Sequence, residues 1–271
     1  THQVSGSVVH GLAIIITLFR LLYRWYMLIF WWEDAWAALA LVFDIGCLVS
    51  VWMEVPPQNS EFHRVHAFID IMANWILSVT LTCIIWCARM SILCSIVRIA
   101  NPSPKLRRIA YCIAAVFSTM GIALVAQKIV MCSLDSCKFM SHIAITQLVT
   151  DVVSDAMLVA ASVRFLRDVK LSRKRRVLIL STFSASILIT AVTILHSVLL
   201  LQEPTTGTVV IGHVKAGLSL LLCNALVLVT FVHRVCHHAD VDHLVDGRRA
   251  GAGLSVQFTS VVEIPTKLSL P

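Results

Sequence analysis

The apolar residues of this chain form long continuous runs, and short clusters of polar residues, Pro and Gly separate these runs. A helix crosses the hydrocarbon layer of a membrane with about 20 mostly apolar residues, because its backbone groups are satisfied within the helix. Seven runs meet this requirement, so the pattern predicts an all-α membrane protein, a seven-transmembrane helix bundle within residues 1–235. The predicted spans are Val4–Leu22, Ala35–Met53, Phe68–Ile99, Ile109–Val130, Ile143–Phe165, Val177–Leu201 and Thr208–Val235.

Composition supports this prediction and excludes a water-soluble globule. Of the 271 residues, 58% are apolar and 14% are charged, whereas a soluble domain has about 25% charged residues. The net charge of +7 would suit nucleic acid in a soluble protein, but in a membrane protein Lys and Arg first report topology. We therefore predict the lipid bilayer as a partner and no nucleic acid. The expected location is the plasma membrane, with the endoplasmic reticulum as the alternative.

Lys and Arg are distributed unevenly between the two sides of the predicted bundle. Seventeen of the 22 fall on one side, and cytoplasmic loops are the loops enriched in these residues. This asymmetry predicts an N-terminus outside and a C-terminus in the cytosol, with residues 236–271 as a flexible cytosolic tail. The basic stretch from Arg164 to Arg176 is explained by anionic lipid, and a cytosolic signalling partner at the basic inner loops is the alternative.

Ionisable residues inside apolar spans are costly, so they are the best indication of function in this sequence. At 1.5 Å per residue, polar residues from four spans lie at similar depth, roughly 12–17 Å from the cytosolic ends. They are Asp44, Arg89, Asp155 and Asn224, and Asp151 lies one helical turn from Asp155. We predict one polar network, which is either a structural latch between helices or a switching or catalytic site. With three acids and one Arg, at least one carboxyl group is expected to be protonated.

Lys215 lies in the seventh predicted span, where a retinal Schiff base would need a lysine. Its outer position, the apolar Ile211 one turn earlier and the absence of Trp or Tyr from the sixth span argue against retinal. We predict no cofactor and an interfacial, snorkelling lysine. His237, His238 and His243 follow the last span without the spacing of a closed zinc module, so no metal site is predicted.

Three further predictions concern the ends of the spans. Glu33 and Asp34 open the second span, where acids complement the helix dipole and pair with basic residues. Cys132 and Cys137 lie in an outer loop, where an oxidising environment and the short spacing favour a disulfide, with two free thiols as the alternative. Polar residues near the outer ends of spans five to seven are either ordinary interfacial side chains or candidates for a ligand pocket: His142, Gln147, His196 and His213.

Several of these motifs together resemble the fungal seven-helix proteins with a rhodopsin domain. The resemblance covers nearly all of residues 4–235, although the acidic pair is Glu-Asp here instead of two Asp. It implies a receptor-like protein, because members are linked to surface sensing, while others occur beside genes of secondary metabolism. The family name implies no retinal. The motifs are Arg20 and Arg24 before the segment 31–36, Trp86 with Arg89 and Ser91, Arg98, Cys132, and Asp151 with Asp155 before a basic loop.

We therefore predict a receptor-like protein that senses an extracellular or membrane-borne small ligand, hydrophobic in character, through the polar network. The alternative is an intramembrane enzyme of secondary metabolism that acts on a hydrophobic, terpenoid-like substrate, with Asp151 or Asp155 as general acid. Such an enzyme would need an enclosed apolar cavity that touches these carboxylates. A proton-coupled transporter is least favoured, because the sequence shows no internal repeat and no pair of interrupted helices.

Overall fold

The computed structural model describes residues 2–53, 63–100, 103–135, 141–168, 187–196, 198–199 and 210–225. All of them belong to one compact unit, Thr1–Val229. The predicted tail, with its three histidines, lies outside the described residues. So does most of the basic stretch between the fifth and sixth predicted spans.

The described part of the chain contains helices and no strand. Five of the helices are long and apolar enough to cross a membrane, and two shorter apolar helices lie within the sixth and seventh predicted spans. An all-helical, multi-pass membrane protein is therefore confirmed, whereas the count of seven crossings and their orientation stay predictions. The helices are α1 His2–Tyr26, α2 Trp32–Met53, α3 His63–Ala100, α4 Pro104–Asp135, α5 Ser141–Asp168, α6 Ile187–His196 and α7 Val210–Ala225.

Helix α3 lies at the centre of the bundle. It packs against α2, α4 and α5, and 67% of its most apolar stretch is buried, compared with 22–39% in the other four long helices. Ile84, Leu93 and Ile96 are almost fully buried along it. A helix that is buried on most sides is expected to be apolar on all its faces. A polar residue on α3 is therefore an exception, and it indicates a specific contact with a neighbouring helix.

Helix α1 has the reverse of the amphipathic pattern found in soluble proteins. Val4, Val8 and Ile15 are exposed on its outer side, where lipid would cover them. The opposite side is buried and carries, at helical spacing, Ala13 and the polar residues His10, Thr17 and Arg20. In a membrane the polar face turns inward, because polar groups find partners only within the protein.

The turn between α1 and α2 is closed by a Schellman arrangement of backbone hydrogen bonds. The amide of Ile29 donates to the carbonyl of Arg24 at 3.0 Å, and the amide of Leu28 donates to that of Trp25 at 3.1 Å. Leu28 occupies the left-handed position of this motif, with φ of 55°. Glycine is the usual residue there, so the turn is formed at a cost in backbone strain.

Candidate functional site

Within the described residues, the buried Asp, Glu, Arg, Lys and His side chains fall into three clusters. Each cluster joins residues from at least three helices, and most of its members are buried. The Arg89 cluster consists of Arg89, Gln147, Asp151, Asp155, Thr190 and Lys215; the Arg20 cluster of Arg20, Arg24, Glu33, Asp34, Ser91, Arg98 and Asn224; and the His10 cluster of His10, Asp44, Cys47 and His213.

The guanidinium group of Arg89 on α3 pairs with two acids on α5. Its Nη1 donates to Asp151 Oδ1 at 2.6 Å, and its Nε and Nη2 donate to Asp155 Oδ1 at 3.0 and 2.9 Å. The indole ring of Trp86 lies beside the guanidinium, with 5.2 Å from Cζ to the ring centroid. Because Asp151 and Asp155 are one turn apart, both carboxylates face the same side of α5 and reach the planar guanidinium together.

Lys215 on α7 completes this cluster. Its Nζ lies 2.6 Å from Asp151 Oδ2, and the side chain is only 3% exposed. The prediction of an interfacial, snorkelling lysine is therefore wrong. The structure turns the side chain of Lys215 towards an acid on α5, and hydropathy along α7 contains no information about that partner.

The ion-paired side chains of the Arg89 cluster have equal numbers of formal positive and negative charges. Arg89 and Lys215 supply two positive charges, and Asp151 and Asp155 supply two negative charges. Thr190 on α6 donates to Asp155 Oδ2 at 2.9 Å, and Gln147 donates to Asp151 Oδ2 at 3.3 Å. The expected excess of acid over base is thus wrong for this cluster, because Lys215 is present and Asp44 is elsewhere.

The Arg20 cluster joins α1, α2, α3 and α7. Arg20 is 1% exposed and donates to Asp34 Oδ1 at 3.1 Å and to the carbonyl of Cys223 at 2.8 Å. Asn224 accepts from Arg20 at 3.3 Å and donates to Thr17 Oγ1 at 2.7 Å. Asn224 therefore lies in this cluster and not beside Arg89, which corrects its predicted position.

The acidic pair that opens α2 is buried in the same cluster. Glu33 pairs with Arg24 and, at 2.6 Å, with Arg98 on α3. Asp34 Oδ2 accepts from Arg24 at 2.8 Å and from the backbone amide of Trp31 at 3.2 Å. Both acids pair with arginines, as expected. The arginines belong to helices α1 and α3 rather than to the basic loops.

The His10 cluster contains the remaining predicted acid, Asp44, which does not contact Arg89. Asp44 Oδ1 lies 2.7 Å from His10 Nδ1, and His10 Nε2 lies 2.9 Å from His213 Nδ1. The thiol sulfur of Cys47 is 3.5 Å from His10 Nε2 and 3.8 Å from His213 Nδ1. The cluster joins α1, α2 and α7.

The single predicted network is thus divided. The structure brings together Arg89, Asp151 and Asp155, and it places Asp44 and Asn224 in the other two clusters. Depth alone could not separate these positions, because residues at one depth can face different neighbours. His10 was missed, although a polar residue within the first predicted span is the same indication that identified Asp44.

The four pocket candidates do not form one described pocket. His213 belongs to the His10 cluster, and Gln147 belongs to the Arg89 cluster. His196 lies against Gly212, where a Cβ on the glycine would be 3.3 Å from His196 Cε1. The side chain of His142 lies outside the described residues. The same holds for Cys137, so the predicted disulfide with Cys132 stays a prediction.

A cavity of about 280 Å³ lies between α4 and α5. Its walls are mainly apolar, with two basic residues that begin α4. Neither Asp151 nor Asp155 is among the lining residues, which are Lys105, Arg108, Ile109, Cys112, Ile113, Val116 and Met157.

Comparison with known proteins connects the helices and clusters to a family. The fungal rhodopsin domain matches residues 19–220 of the chain. This range includes the Arg89 cluster and all of the Arg20 cluster except Asn224. The chain matches no curated protein and no solved structure.

Proposed function

Because the chain belongs to the fungal rhodopsin domain family, we propose that it is a receptor-like membrane protein. In this proposal a small hydrophobic ligand, arriving from outside or through the membrane, shifts the arrangement of the Arg89 cluster. The observation that supports it most directly is the set of ion pairs and hydrogen bonds that joins α3, α5, α6 and α7 through Asp151 and Asp155.

The physical basis is the cost of partial rearrangement. Separating a buried ion pair by removing one partner costs about 3–5 kcal/mol, because the remaining charge is left uncompensated. Small displacements of α7 against α5 are therefore opposed, and a larger displacement must exchange partners as a unit. A cluster of this kind favours two discrete arrangements, which is the property that a ligand-controlled switch requires.

The proposed topology has seven crossings, with the N-terminus outside and the C-terminus in the cytosol. Support comes from the distribution of Lys and Arg and from α6 and α7, which lie within the last two predicted spans. The plasma membrane is the proposed location. In this orientation the basic inner loops would contact the signalling partner.

The enzyme hypothesis receives less support from the geometry. All four oxygens of Asp151 and Asp155 accept hydrogen bonds, from Arg89, Lys215, Gln147 or Thr190. A general acid must hold a proton on one of these oxygens and deliver it to substrate. The cavity between α4 and α5 does not touch either carboxylate.

Ligand binding to the full chain in lipid nanodiscs tests the proposal. A panel of sterols, terpenoids and fatty acids is screened by thermal shift, and each compound that binds is followed by hydrogen exchange across α5 and α7. Receptor behaviour predicts changed exchange in both helices of the wild type. The change should be lost in Lys215→Met, which removes the α5–α7 ion pair.

Arg107→Met is the control, because it also removes a basic residue from a helix of the bundle. Arg107 is exposed near the start of α4 and lies outside the Arg89 cluster, so its variant should keep the response. An identical response in wild type and Lys215→Met would contradict the proposal. Conversion of any panel compound to a product, abolished in Asp155→Asn, would favour the enzyme.

A further inference from the structure

We infer that His10, Cys47 and His213 form a binding site for a thiophilic transition-metal ion, Zn²⁺ or Cu⁺, within the bundle. The three side chains come from α1, α2 and α7. Their ligand atoms, His10 Nε2, Cys47 Sγ and His213 Nδ1, all lie within 4.8 Å of one another. This site is independent of the Arg89 cluster and of the proposed sensing function.

The distances suit a single ion. With metal–sulfur bonds of about 2.3 Å and metal–nitrogen bonds of about 2.0–2.1 Å, tetrahedral to trigonal angles place sulfur and nitrogen about 3.6–3.8 Å apart. The two sulfur–nitrogen distances are 3.5 and 3.8 Å. The two nitrogens are 2.9 Å apart and must separate by about 0.5 Å to reach their metal-bound spacing.

Asp44 prepares His10 to act as a ligand. A carboxylate only accepts hydrogen bonds, so the 2.7 Å contact places a proton on His10 Nδ1. In the neutral ring, which is the form that binds a metal ion, the lone pair of His10 then lies on Nε2, which faces Cys47 and His213. This carboxylate–histidine arrangement is the support that metal-bound histidines commonly have, and it both orients the ring and increases the basicity of the ligand nitrogen.

The burial and charge of the His10 cluster also favour a bound metal ion over a cluster held by hydrogen bonds alone. His10, Asp44 and Cys47 are fully buried and His213 is 3% exposed. Asp44 Oδ2 has no hydrogen-bond partner among the described residues, so part of the negative charge of Asp44 is not compensated by hydrogen bonds. A bound cation would supply positive charge within the cluster, where burial makes an uncompensated carboxylate costly.

Binding requires a defined movement of protons. Cys47 loses its thiol proton to solvent and forms the metal–sulfur bond as a thiolate. His213 donates Nδ1–H to His10 in the hydrogen-bonded state, so its proton moves to Nε2 and Nδ1 becomes a ligand. The thiolate and Asp44 together carry two negative charges, which Zn²⁺ would neutralise. Cu⁺ is the ion that thiolate and imidazole ligands also select.

Metal content of the purified full chain tests this inference. The protein is prepared with an affinity tag that contains no histidine, and His237, His238 and His243 are replaced by Ala so that the tail cannot contribute. Samples are incubated with Zn²⁺ alone or with Cu⁺ alone, desalted, and measured by inductively coupled plasma mass spectrometry. We expect about one equivalent of one of the two ions, and the two incubations identify which.

Cys47→Ser should reduce the bound metal at least tenfold, and His10→Ala should do the same. Cys87→Ser is the matched control, since Cys87 is also a buried free cysteine outside the cluster, and its metal content should equal that of the parent. Co²⁺ adds a second measurement, because a cobalt–thiolate absorption band should appear in the parent and be missing in Cys47→Ser.

Two results would overturn the inference. One is a metal content below a tenth of an equivalent in the parent with both ions, which would leave the His10 cluster as a hydrogen-bonded contact between helices. The other is equal metal content in the parent and a correctly folded Cys47→Ser. Size-exclusion profiles and thermal unfolding of each variant establish folding before metal is measured.

Discussion

Lys215 Nζ and Asp151 Oδ2 lie 2.6 Å apart and join α7 to α5 inside the bundle. Arg89 reaches the other oxygen of the same carboxylate at 2.6 Å. One acid is thus held between cations from two different helices, so the positions of α3 and α7 depend on each other through a residue of α5.

Replacement of Lys215 should destabilise the bundle. Lys215→Met leaves the cluster with more negative than positive charge, and the free energy of unfolding should fall by about 3–5 kcal/mol. The double variant Lys215→Met with Asp151→Asn restores charge balance and should lose less than Lys215→Met alone. Thermal unfolding in nanodiscs, followed by tryptophan fluorescence, measures both. A double variant less stable than the single one would contradict this account of charge balance.

The Arg20 cluster predicts different costs for two arginines. Arg20 is fully buried and bonds to Asp34, Cys223 and Asn224, so Arg20→Ala should cost about 3–5 kcal/mol. Arg98 is 28% exposed, and Glu33 keeps Arg24 when Arg98 is removed. Arg98→Ala should therefore cost only about 1 kcal/mol. Denaturant unfolding measures the free energy of unfolding of both variants. An equal decrease in the two would contradict the prediction that Arg20 contributes more to stability than Arg98.

Close packing of α1 against α7 depends on Gly217. A Cβ at this position would overlap Val9 Cγ1 and would lie 3.6 Å from the carbonyl oxygen of Val9. Gly217→Ala should destabilise the protein by about 1–3 kcal/mol, as overpacking does. Gly11→Ala is the matched control, since a Cβ there meets nothing within 4 Å. Thermal unfolding should shift downwards only for Gly217→Ala; an equal shift in both would show that packing is not the cause.

The turn after α1 offers a stabilising substitution. Leu28 has φ of 55° and is 92% exposed, so Leu28→Gly removes backbone strain with little loss of packing. The expected gain in free energy of unfolding is about 1 kcal/mol. Tyr26→Gly, at the exposed end of α1, is the control for glycine at a helical position, and it should lower the free energy of unfolding by a similar amount. A loss of stability in Leu28→Gly would mean that the side chain contributes more than its exposure suggests.

Much of the fold could be predicted from sequence because the membrane imposes it. Runs of about 20 apolar residues and satisfied backbone groups require helices, and the five long helices lie where the pattern predicted them. The motifs around Glu33, Arg89 and Asp155 also identified the family, which the match over residues 19–220 confirms.

Partner choice among the buried polar residues could not be predicted in the same way. The sequence predicts similar depth for Asp44 and Arg89, but Asp44 faces His10 on α1 and Arg89 faces Asp151 on α5. Successive residues of a helix point about 100° apart, so a partner depends on helix rotation and on which helix is adjacent. Both are set by packing between distant segments of the chain. For this reason apolar length and residue type established a helical membrane protein of this family, while the assembled bundle alone determined which charges meet.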